Sequence, residues 1–563
     1  MENKKLFIHS KTYFFITELF VGIALMGIEM SASRLVSVYF SSSQVVWTII
    51  IGVIMIAMAI GNIWGGRQAD KKPSYLRLYL ELLFAGSYIV LIPFVGRYVI
   101  VGVSMLFALI APNSLVIWAS LFSCLILFVP PLLFIGKVTP SLVKYMMGEK
   151  VSGKVVGTLE ALNTAGSIVG TFLPTFITIP FIGTSNSFVL FGTMIAVLGL
   201  IFVVTTFIDW YKNKPKVVDS TEETSTELKK KNKGMIKATI LTGIYTSLFI
   251  FGSVISFNVP FAFWKNGTSI KEGESVYNYL KVDRVGNMTT LSTNILFGTQ
   301  SAIRDDFSLT DMYYDYLLIS PYLVKENPKI LILGNGTGTY ATMLKEYNKV
   351  NCDITAVEID QKIIDYSYEY FHMNNEVKVI CDDGRNYITR TNDKYDIILV
   401  DAYTSVSAPF HMTTVEFFSL VKEHLNIDGL MMMNINMTSN APGSINQALC
   451  DTAYSVFNNL YTYKVYNGSG IEAYAYNGNK DVLYEVEHAT YPTSLVGFSN
   501  VINQLKLNLR KHEDTGIRLY DETADVEIRS MRALAEIIRD YLDYYIQIFR
   551  ERGLQGLIEV LMQ

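Results

Sequence analysis

The chain is poor in cysteine and in charge for its 563 residues, and both shortages narrow what it can do. Its four cysteines, Cys124, Cys352, Cys381 and Cys450, show no C-x-x-C spacing, which argues against a metal site and a disulfide framework. Only 17% of the residues are charged and the net charge is -4, so nucleic acid is not expected as a partner. The pattern G-x-x-x-x-G-K-[ST] is missing, which argues against a loop that hydrolyses nucleoside triphosphates.

Charge is also unevenly distributed, because the long uncharged stretches all lie within the first 257 residues. Their lengths are close to the roughly 20 residues that cross a bilayer, which predicts a transmembrane helical bundle at 1–210 and a last transmembrane helix at 237–257. The stretch 211–236, rich in Lys, Glu, Ser and Thr, is expected to be a charged, solvated linker. The predicted spans are 13–36, 44–65, 77–96, 115–137, 157–182, 187–209 and 237–257.

Two features of this half leave its topology open. The run 98–111 is short, so it is either a re-entrant or interfacial piece or an eighth span. Basic residues in loops, including 137–154, indicate the cytoplasmic side. Seven spans satisfy these loops and leave the later domain outside the cell, whereas eight spans bring it inside and violate the rule at 137–154. The first apolar run lacks a small-residue cleavage site and is expected to remain as a span.

A nucleotide-binding pattern lies between residues 329 and 360. The apolar run 330–333 ends in a glycine loop, a helix-like segment follows, and a second apolar run closes on Glu358. In this layout the glycines let a nucleotide approach the backbone, and the acid about 20 residues later takes ribose hydroxyls. The glycine loop consists of Gly334, Asn335, Gly336, Thr337 and Gly338.

Two further acids follow apolar strands of the same domain. Asp383 ends VKVICDD and Asp401 ends YDIILVD. A strand-helix-strand rhythm predicts a Rossmann-like, doubly wound α/β domain at 326–563 with C-terminal helices, in which ligands lie at the carboxyl edge of a parallel sheet. Each acid could instead only cap the helix that follows it. Upstream, hairpin-like alternation predicts a small antiparallel β unit followed by a helix at 274–325.

These segments resemble a known family. ILILGNGTG, AVEID, CDDG and YDIILVDAYTS, in this order, resemble the polyamine aminopropyltransferase (spermidine synthase) family, whose domain is of the S-adenosylmethionine-methyltransferase type. IEMSASRL and GTLEALNTAGSIVG resemble the multi-pass membrane region fused to such enzymes in some bacteria. The resemblance implies that Glu358 holds the ribose, Asp383 the adenine amino group and Asp401 the reacting end, with Gln300 and Tyr313 at the border of the pocket.

The chain departs from the family at two acids. Thr337 stands where the family's glycine loop has an Asp that pairs with the ammonium of decarboxylated S-adenosylmethionine. The family's D-S-x-D is here Asp401-Ala402-Tyr403-Thr404. An amine must lose a proton before it attacks carbon, so a base is needed within hydrogen-bond reach. Asp401 remains as that base, with Tyr403, Tyr313 and His411 as possible assistants.

Three functions are therefore open. The first is aminopropyl transfer from decarboxylated S-adenosylmethionine to a small amine, with release of methylthioadenosine. The second is an enzyme acting on intact S-adenosylmethionine, by methyl transfer or by cleavage to methylthioadenosine. The third is a non-enzymatic nucleoside sensor or transporter. The apolar spans predict a multi-pass location in the cell membrane, with the lipid bilayer as a partner. A cytoplasmic catalytic domain is expected because the inferred ligand is made in the cytosol.

The C-terminal tail carries an apolar helical stripe that is expected to pack on the domain or on a second copy of the chain. A homo-oligomer through these C-terminal helices is therefore possible. The stripe comprises Met531, Leu534, Ile537, Ile538, Leu542 and Ile546.

Overall fold

The computed structural model divides the chain into two compact units, Met1–Phe263 and Trp264–Gln563. Backbone only is described at 108–109, at 222–231 and in parts of 534–562. The residues that it describes are 7–40, 43–111, 114–147, 152–212, 222–257, 259, 267–294, 299–402, 408–436, 439, 441–465 and 470–562.

The first unit is helical, as predicted, and within its described residues six helical segments are long and apolar enough to cross a membrane. One of them, Gly153–Lys212, comprises the two predicted spans 157–182 and 187–209. A π-helical turn, Pro174–Thr178, joins the helix that ends at Leu173 to the helix that begins at Ile179. The helices are α1 (Lys11–Phe40), α2 (Gln44–Lys71), α3 (Tyr75–Ile110), α4 (Leu115–Gly136), α5 (Val138–Met147), α6 (Gly153–Leu173), α7 (Ile179–Lys212) and α8 (Glu222–Ser256).

Glycines allow close packing between these helices. A Cβ atom added at Gly166 of α6 would lie 2.2 Å from the carbonyl oxygen of Leu19 in α1. A Cβ atom at Gly199 of α7 would lie 2.6 Å from the carbonyl oxygen of Tyr79 in α3. The backbones therefore approach to distances that only glycine permits, which is the packing expected of small residues in a membrane bundle.

Three details of this unit differ from the expectations. The run 98–111 is mostly the end of α3, which continues through Pro93 as one helix of 36 residues. Helix α8 begins at Glu222, inside the stretch 211–236 expected to be a linker, because Glu and Lys are good helix formers. Lys137, expected in a loop, is 1% exposed and forms an ion pair with Glu81 at 2.6 Å.

The second unit begins with the predicted small antiparallel sheet. Its strands, β1 (Thr268–Glu274), β2 (Tyr279–Val285), β3 (Met288–Thr293) and β4 (Thr299–Arg304), pair in sequence order. The helix expected within 309–324 is reduced to two single turns, α9 (Tyr314–Leu317) and a 3-10 turn at Ser320–Tyr322. Pro321 lacks the N–H that a continuing helix would need.

The second sheet has eight strands in the order β12-β10-β11-β9-β8-β5-β6-β7. Strands β5 to β9 are mutually parallel, which confirms the doubly wound prediction, and β10 to β12 extend the sheet with antiparallel pairs. The elements are β5 (Lys329–Leu333), α10 (Thr339–Glu346), β6 (Asp353–Glu358), α11 (Gln361–Tyr370), β7 (Lys378–Cys381), α12 (Gly384–Arg390), β8 (Tyr395–Val400), α13 (Val415–His424), β9 (Leu425–Ile435), α14 (Ile445–Phe457), β10 (Leu460–Lys464), β11 (Ile471–Tyr476), α15 (Val482–His488), α16 (Phe498–Asn508), β12 (Arg510–Lys511) and α17 (Val526–Met562).

Apolar layers cover both faces of this sheet. Ile330 and Ile332 of β5 belong to one buried cluster, whereas Leu331 and Leu333 belong to the other. Strand order reverses between β5 and β8, and ligands of such sheets bind outside the carboxyl ends of the strands at that point. The fold thus places Gly334 and Asp401 side by side at the position where a ligand is expected.

Helix α17 contains the predicted C-terminal stripe, and its backbone is non-helical at Gly553, beyond the end of the stripe. Most side chains of the stripe lie outside the described residues. Oligomerisation through this helix therefore stays a prediction.

Candidate active site

The glycine loop is built from left-handed backbone conformations. Gly334, Gly336 and Gly338 have φ of 91°, 54° and 77°, a region that glycine adopts at little cost. A Cβ atom at Gly334 would lie 2.3 Å from the carbonyl oxygen of Asp401. The loop therefore runs directly against the end of β8, and a side chain at 334 would force the two apart.

Several polar atoms of this loop are buried without a protein partner. Among the described residues, the side-chain oxygens of Thr337 and Thr339 and both polar atoms of the Asn335 side chain accept or donate no hydrogen bond. Thr337 is 0% exposed, and its backbone N–H donates to Ser301 Oγ at 3.3 Å. Buried polar atoms normally have partners, so atoms left without one at a loop of this kind are available to a ligand.

Glu358 lies at the end of β6 and is tied to the glycine loop. Its Oε2 accepts a hydrogen bond from the N–H of Gly336 at 2.8 Å, and its Oε1 accepts one from the N–H of Asp360 at 3.1 Å. Burial raises the pKa of Glu358 to about 7, although these donors favour the charged form. Each oxygen retains a lone pair for a further donor, such as a sugar hydroxyl.

Asp383 follows β7 and has two contacts. Its Oδ1 accepts from the N–H of Asn386 at 2.9 Å, which is the helix cap considered as an alternative for this residue. Its Oδ2 lies 3.0 Å from Nε2 of His411. His411 was expected near Asp401, and the structure places it beside Asp383 instead. Capping occupies one oxygen only, so a role in ligand binding remains compatible with this geometry.

Asp401 is held by two neutral donors. Tyr313 donates from its hydroxyl to Oδ2 at 2.7 Å, and Asn434 donates from Nδ2 to Oδ1 at 2.8 Å. Burial raises the pKa of Asp401 to about 7 and outweighs the two hydrogen bonds, which lower it. A carboxyl with a pKa near 7 is suited to general base catalysis at neutral pH.

The other predicted site residues divide between those that the structure describes and one that it does not. Tyr313 meets Asp401, as the sequence analysis expected. Gln300 lies in β4, where its backbone carbonyl accepts a hydrogen bond from the Tyr314 hydroxyl. Tyr403 lies outside the described residues, so its role beside Asp401 stays a prediction.

Sequence reasoning missed Asn434 and Glu472. They face each other across β9 and β11, where Asn434 pairs with Glu472 in the antiparallel register. Glu472 is 0% exposed, and within the described chain neither of its oxygens has a hydrogen-bond partner. The available signal was a single acid in an otherwise apolar, tyrosine-rich strand, IEAYAY.

The arrangement as a whole is acidic. Burial is the main cause of the raised pKa values of Glu358, Asp401 and Glu472, and neighbouring acids raise the pKa values of Glu358 and Glu472 further. Within the described residues, no group of three His, Cys, Asp or Glu side chains could hold a metal ion. Buried acids without a counter-charge favour a cationic ligand.

Comparisons with known proteins agree on the type of domain. The spermine/spermidine synthase domain family matches residues 310–467. A probable polyamine aminopropyl transferase of Bifidobacterium longum is 41% identical over 328 residues, which cover 55% of this chain and 73% of that protein. A polyamine aminopropyltransferase of Vibrio vulnificus is 30% identical over 234 residues, which cover 40% of this chain and 76% of that protein.

The crystal structure of a probable spermidine synthase from Corynebacterium glutamicum is similar to this chain, with 16% identity and a TM-score of 0.34. The match covers 46% of this chain and 97% of that one.

Proposed function

Because this chain belongs to the polyamine aminopropyltransferase family, we propose that it transfers an aminopropyl group from decarboxylated S-adenosylmethionine to an amine. Methylthioadenosine is the second product. The observation that carries the proposal is the position of Asp401, whose backbone lies against the glycine loop at the strand end and whose carboxyl is held by Tyr313 and Asn434.

The donor occupies the glycine-loop side of the site in this proposal. Glu358 takes the ribose hydroxyls with the lone pairs that Gly336 and Asp360 leave unused. Asp383 binds the adenine amino group with the carboxyl that caps α12. Gly334, Gly336 and Gly338 allow the backbone to approach the nucleoside, and Thr337 offers a buried hydroxyl.

The reaction is a single displacement at carbon. The unprotonated amine nitrogen forms a bond to the aminopropyl carbon next to sulfur, while the carbon–sulfur bond breaks and its electron pair neutralises the sulfonium. Asp401 accepts the proton that the amine loses, and Tyr313 and Asn434 fix the carboxylate in the orientation for that transfer. Tyr403 and Gln300 complete this end of the site in the proposal.

Charge favours the decarboxylated donor over intact S-adenosylmethionine. The decarboxylated form carries two positive charges and no carboxylate, which matches a reacting end formed by Asp401. An intact donor would bring its carboxylate toward this acid, and no basic residue occurs at 401–407 to compensate it. Thr337 removes one acid relative to the family, but Asp401 keeps this end of the site acidic.

The test is to incubate the purified protein with each donor, with and without 1,4-diaminobutane, and to identify products by mass spectrometry. We expect methylthioadenosine only with the decarboxylated donor together with the amine. Release of methylthioadenosine from the intact donor alone, or methylation of the amine, would contradict the proposal in favour of an enzyme of intact S-adenosylmethionine. Binding of either donor without turnover would instead indicate a nucleoside sensor or transporter.

We also propose that the helical unit embeds the enzyme in the cell membrane, with the catalytic unit in the cytoplasm. The segment Gly153–Lys212 has 60 residues with non-helical backbone at Gly183, so the number of passes depends on whether each half crosses. An even number of passes returns the chain to the side of its basic N-terminal residues, and an odd number does not.

A native cysteine tests the orientation. Cys381 is exposed and the other three cysteines are buried, so a membrane-impermeant maleimide should report on Cys381. We expect labelling in inside-out vesicles and protection in intact cells. The Cys381→Ser variant is the matched control, and labelling in intact cells would place the catalytic unit outside.

A further inference from the structure

Glu472 is a buried acid with no structural partner. The residue is 0% exposed, and in the described part of the chain neither Oε1 nor Oε2 receives a hydrogen bond. Placing a carboxyl in the protein interior without a partner costs free energy, so a purely structural position would favour an apolar residue. The cost indicates that a ligand supplies the missing partner.

The sheet determines where that ligand lies. Strands β8, β9 and β11 are neighbours, so the backbone of Glu472 is two strands, about 10 Å, from that of the β8 end where Asp401 lies. Asn434 lies between them, because it pairs with Glu472 and donates to Asp401. The glycine loop follows β5, on the other side of β8. Glu472 and the glycine loop, where the proposed donor binds, therefore lie on opposite sides of Asp401.

The surroundings favour a cation at this place. The pKa of Glu472 is well above its ordinary value because of burial and, next, the negative charge of Asp401. The neighbouring Tyr474 is also buried, and its pKa is raised by burial and by the charge of Glu472. Tyrosine rings and carboxylates together are a suitable environment for an alkylammonium group.

We propose that Glu472 binds the ammonium group of a diamine or polyamine acceptor whose other, unprotonated nitrogen attacks the donor beside Asp401. This inference rests on the proposed aminopropyl transfer. In the family a second acid follows Asp401 after β8, but this chain has Thr404 at that position. Glu472 on β11 would supply the missing acid for the far end of the acceptor. Glu472 releases its proton to solvent when the ammonium binds.

The kinetic test compares two acceptors that differ only in the second nitrogen, 1,4-diaminobutane and 1-aminobutane. In the wild type we expect the diamine to be preferred. In Glu472→Gln we expect the ratio of the two kcat/KM values to fall about 10- to 100-fold, the effect of one hydrogen bond to a charged group. The mono-amine should react at a nearly unchanged rate. Glu485→Gln, in α15, is the matched control and should keep the wild-type ratio.

The physical test uses stability and proton release. The side chains of Glu and Gln have the same shape, so Glu472→Gln should raise the Tm of the ligand-free protein by removing an unpartnered acid. Diamine binding can be measured by calorimetry with methylthioadenosine present, in buffers of different ionisation enthalpy. We expect the Glu472→Gln variant to release one proton fewer than the wild type on binding.

Contrary outcomes are distinguishable. An unchanged acceptor ratio in Glu472→Gln, or a lower Tm together with equal losses for both amines, would make Glu472 a structural residue and overturn the inference alone. A wild-type protein that uses neither amine, under conditions in which it binds the donor, would overturn the proposed function and this inference with it.

Discussion

The helical unit and the carboxyl edge of the large sheet both bury charged side chains, but they differ in how the charge is compensated. In the helical unit, Lys137 lies 2.6 Å from Glu81, and its ammonium is 4.1 Å from the centroid of the Trp64 ring. At the sheet edge, Asp401 receives only neutral donors and Glu472 receives none among the described residues. The Lys137–Glu81 pair carries its own counter-charge, and Asp401 and Glu472 lack one among the described residues.

This difference separates a structural role from a binding role. A buried ion pair is already compensated, so a ligand gains little by binding there, and breaking the pair destabilises the fold. A buried acid without a cation costs stability in the empty protein and gains from a cationic ligand. We therefore expect a glutamate to contribute to the fold in the Lys137–Glu81 pair and to ligand binding at the sheet edge.

The largest effect is expected at Asp401. Asp401→Asn removes the proposed base and should lower kcat by about 10²- to 10⁴-fold, the usual contribution of a positioned base. Donor binding, measured by calorimetry, should remain. Asp396→Asn on the same strand is the control, because Asp396 binds the N–H of Lys329 at 2.9 Å and the ammonium of Lys325 at 2.9 Å, away from the site. Equal loss of turnover in both variants would contradict a special role for Asp401.

The next effect is on the stability of the helical unit. Lys137→Met leaves Glu81, whose side chain is 17% exposed, without its counter-charge and should lower the unfolding free energy by about 1.5–3 kcal/mol, the cost of losing a hydrogen bond to a charged group. Thermal unfolding in detergent measures this loss. Lys144→Met is the control, since its pair with Asp70 is largely exposed and is expected to contribute about 0–1 kcal/mol. Similar stability of the two variants would remove the contrast between the two regions.

A smaller effect is expected at Glu358. Glu358→Gln replaces a charged acceptor by a neutral one and should weaken methylthioadenosine binding about 10- to 100-fold. The Tm of the ligand-free protein should fall modestly, because Gln can accept only one of the two backbone N–H bonds that Glu358 accepts. Glu376→Gln is the control on an exposed carboxyl, whose side chain is 75% exposed. A variant that binds the nucleoside like the wild type would show that Glu358 holds only the glycine loop.

The smallest effect is a pH dependence of stability. The pKa values of Glu358 and Asp401 are raised to about 7 in the folded protein, above their unfolded values. The native state thus binds more protons between about pH 5 and pH 7, and the unfolding free energy should fall as pH rises through that range. We expect a lower Tm at pH 7.5 than at pH 5.5 for the empty protein. The double variant Glu358→Gln, Asp401→Asn should reduce this difference, and an unchanged difference would assign it to other groups.

Sequence patterns predicted the elements that depend on neighbouring residues. The glycine loop, the acids Glu358 and Asp401 at strand ends and the apolar helices all follow from local spacing. Family resemblance predicted Tyr313 at the border of the pocket, and its hydroxyl donates to Asp401. Asp383 was recognised, but its pairing with His411 was not, because their 28-residue separation leaves no periodic signal.

By itself, the sequence determined that an apolar helical half precedes a doubly wound domain with acids at its strand ends. These features are predictable because the spacing of apolar residues and the position of turn residues depend only on residues a few positions apart. Only the tertiary structure decided which acids share the site. Glu472 reaches Asp401 through the β9–β11 register, and Lys137 reaches Glu81 through helix packing. These pairings depend on contacts between segments that are far apart in the chain. Whether a buried charge has a counter-charge is therefore decided by tertiary packing and not by the local sequence pattern.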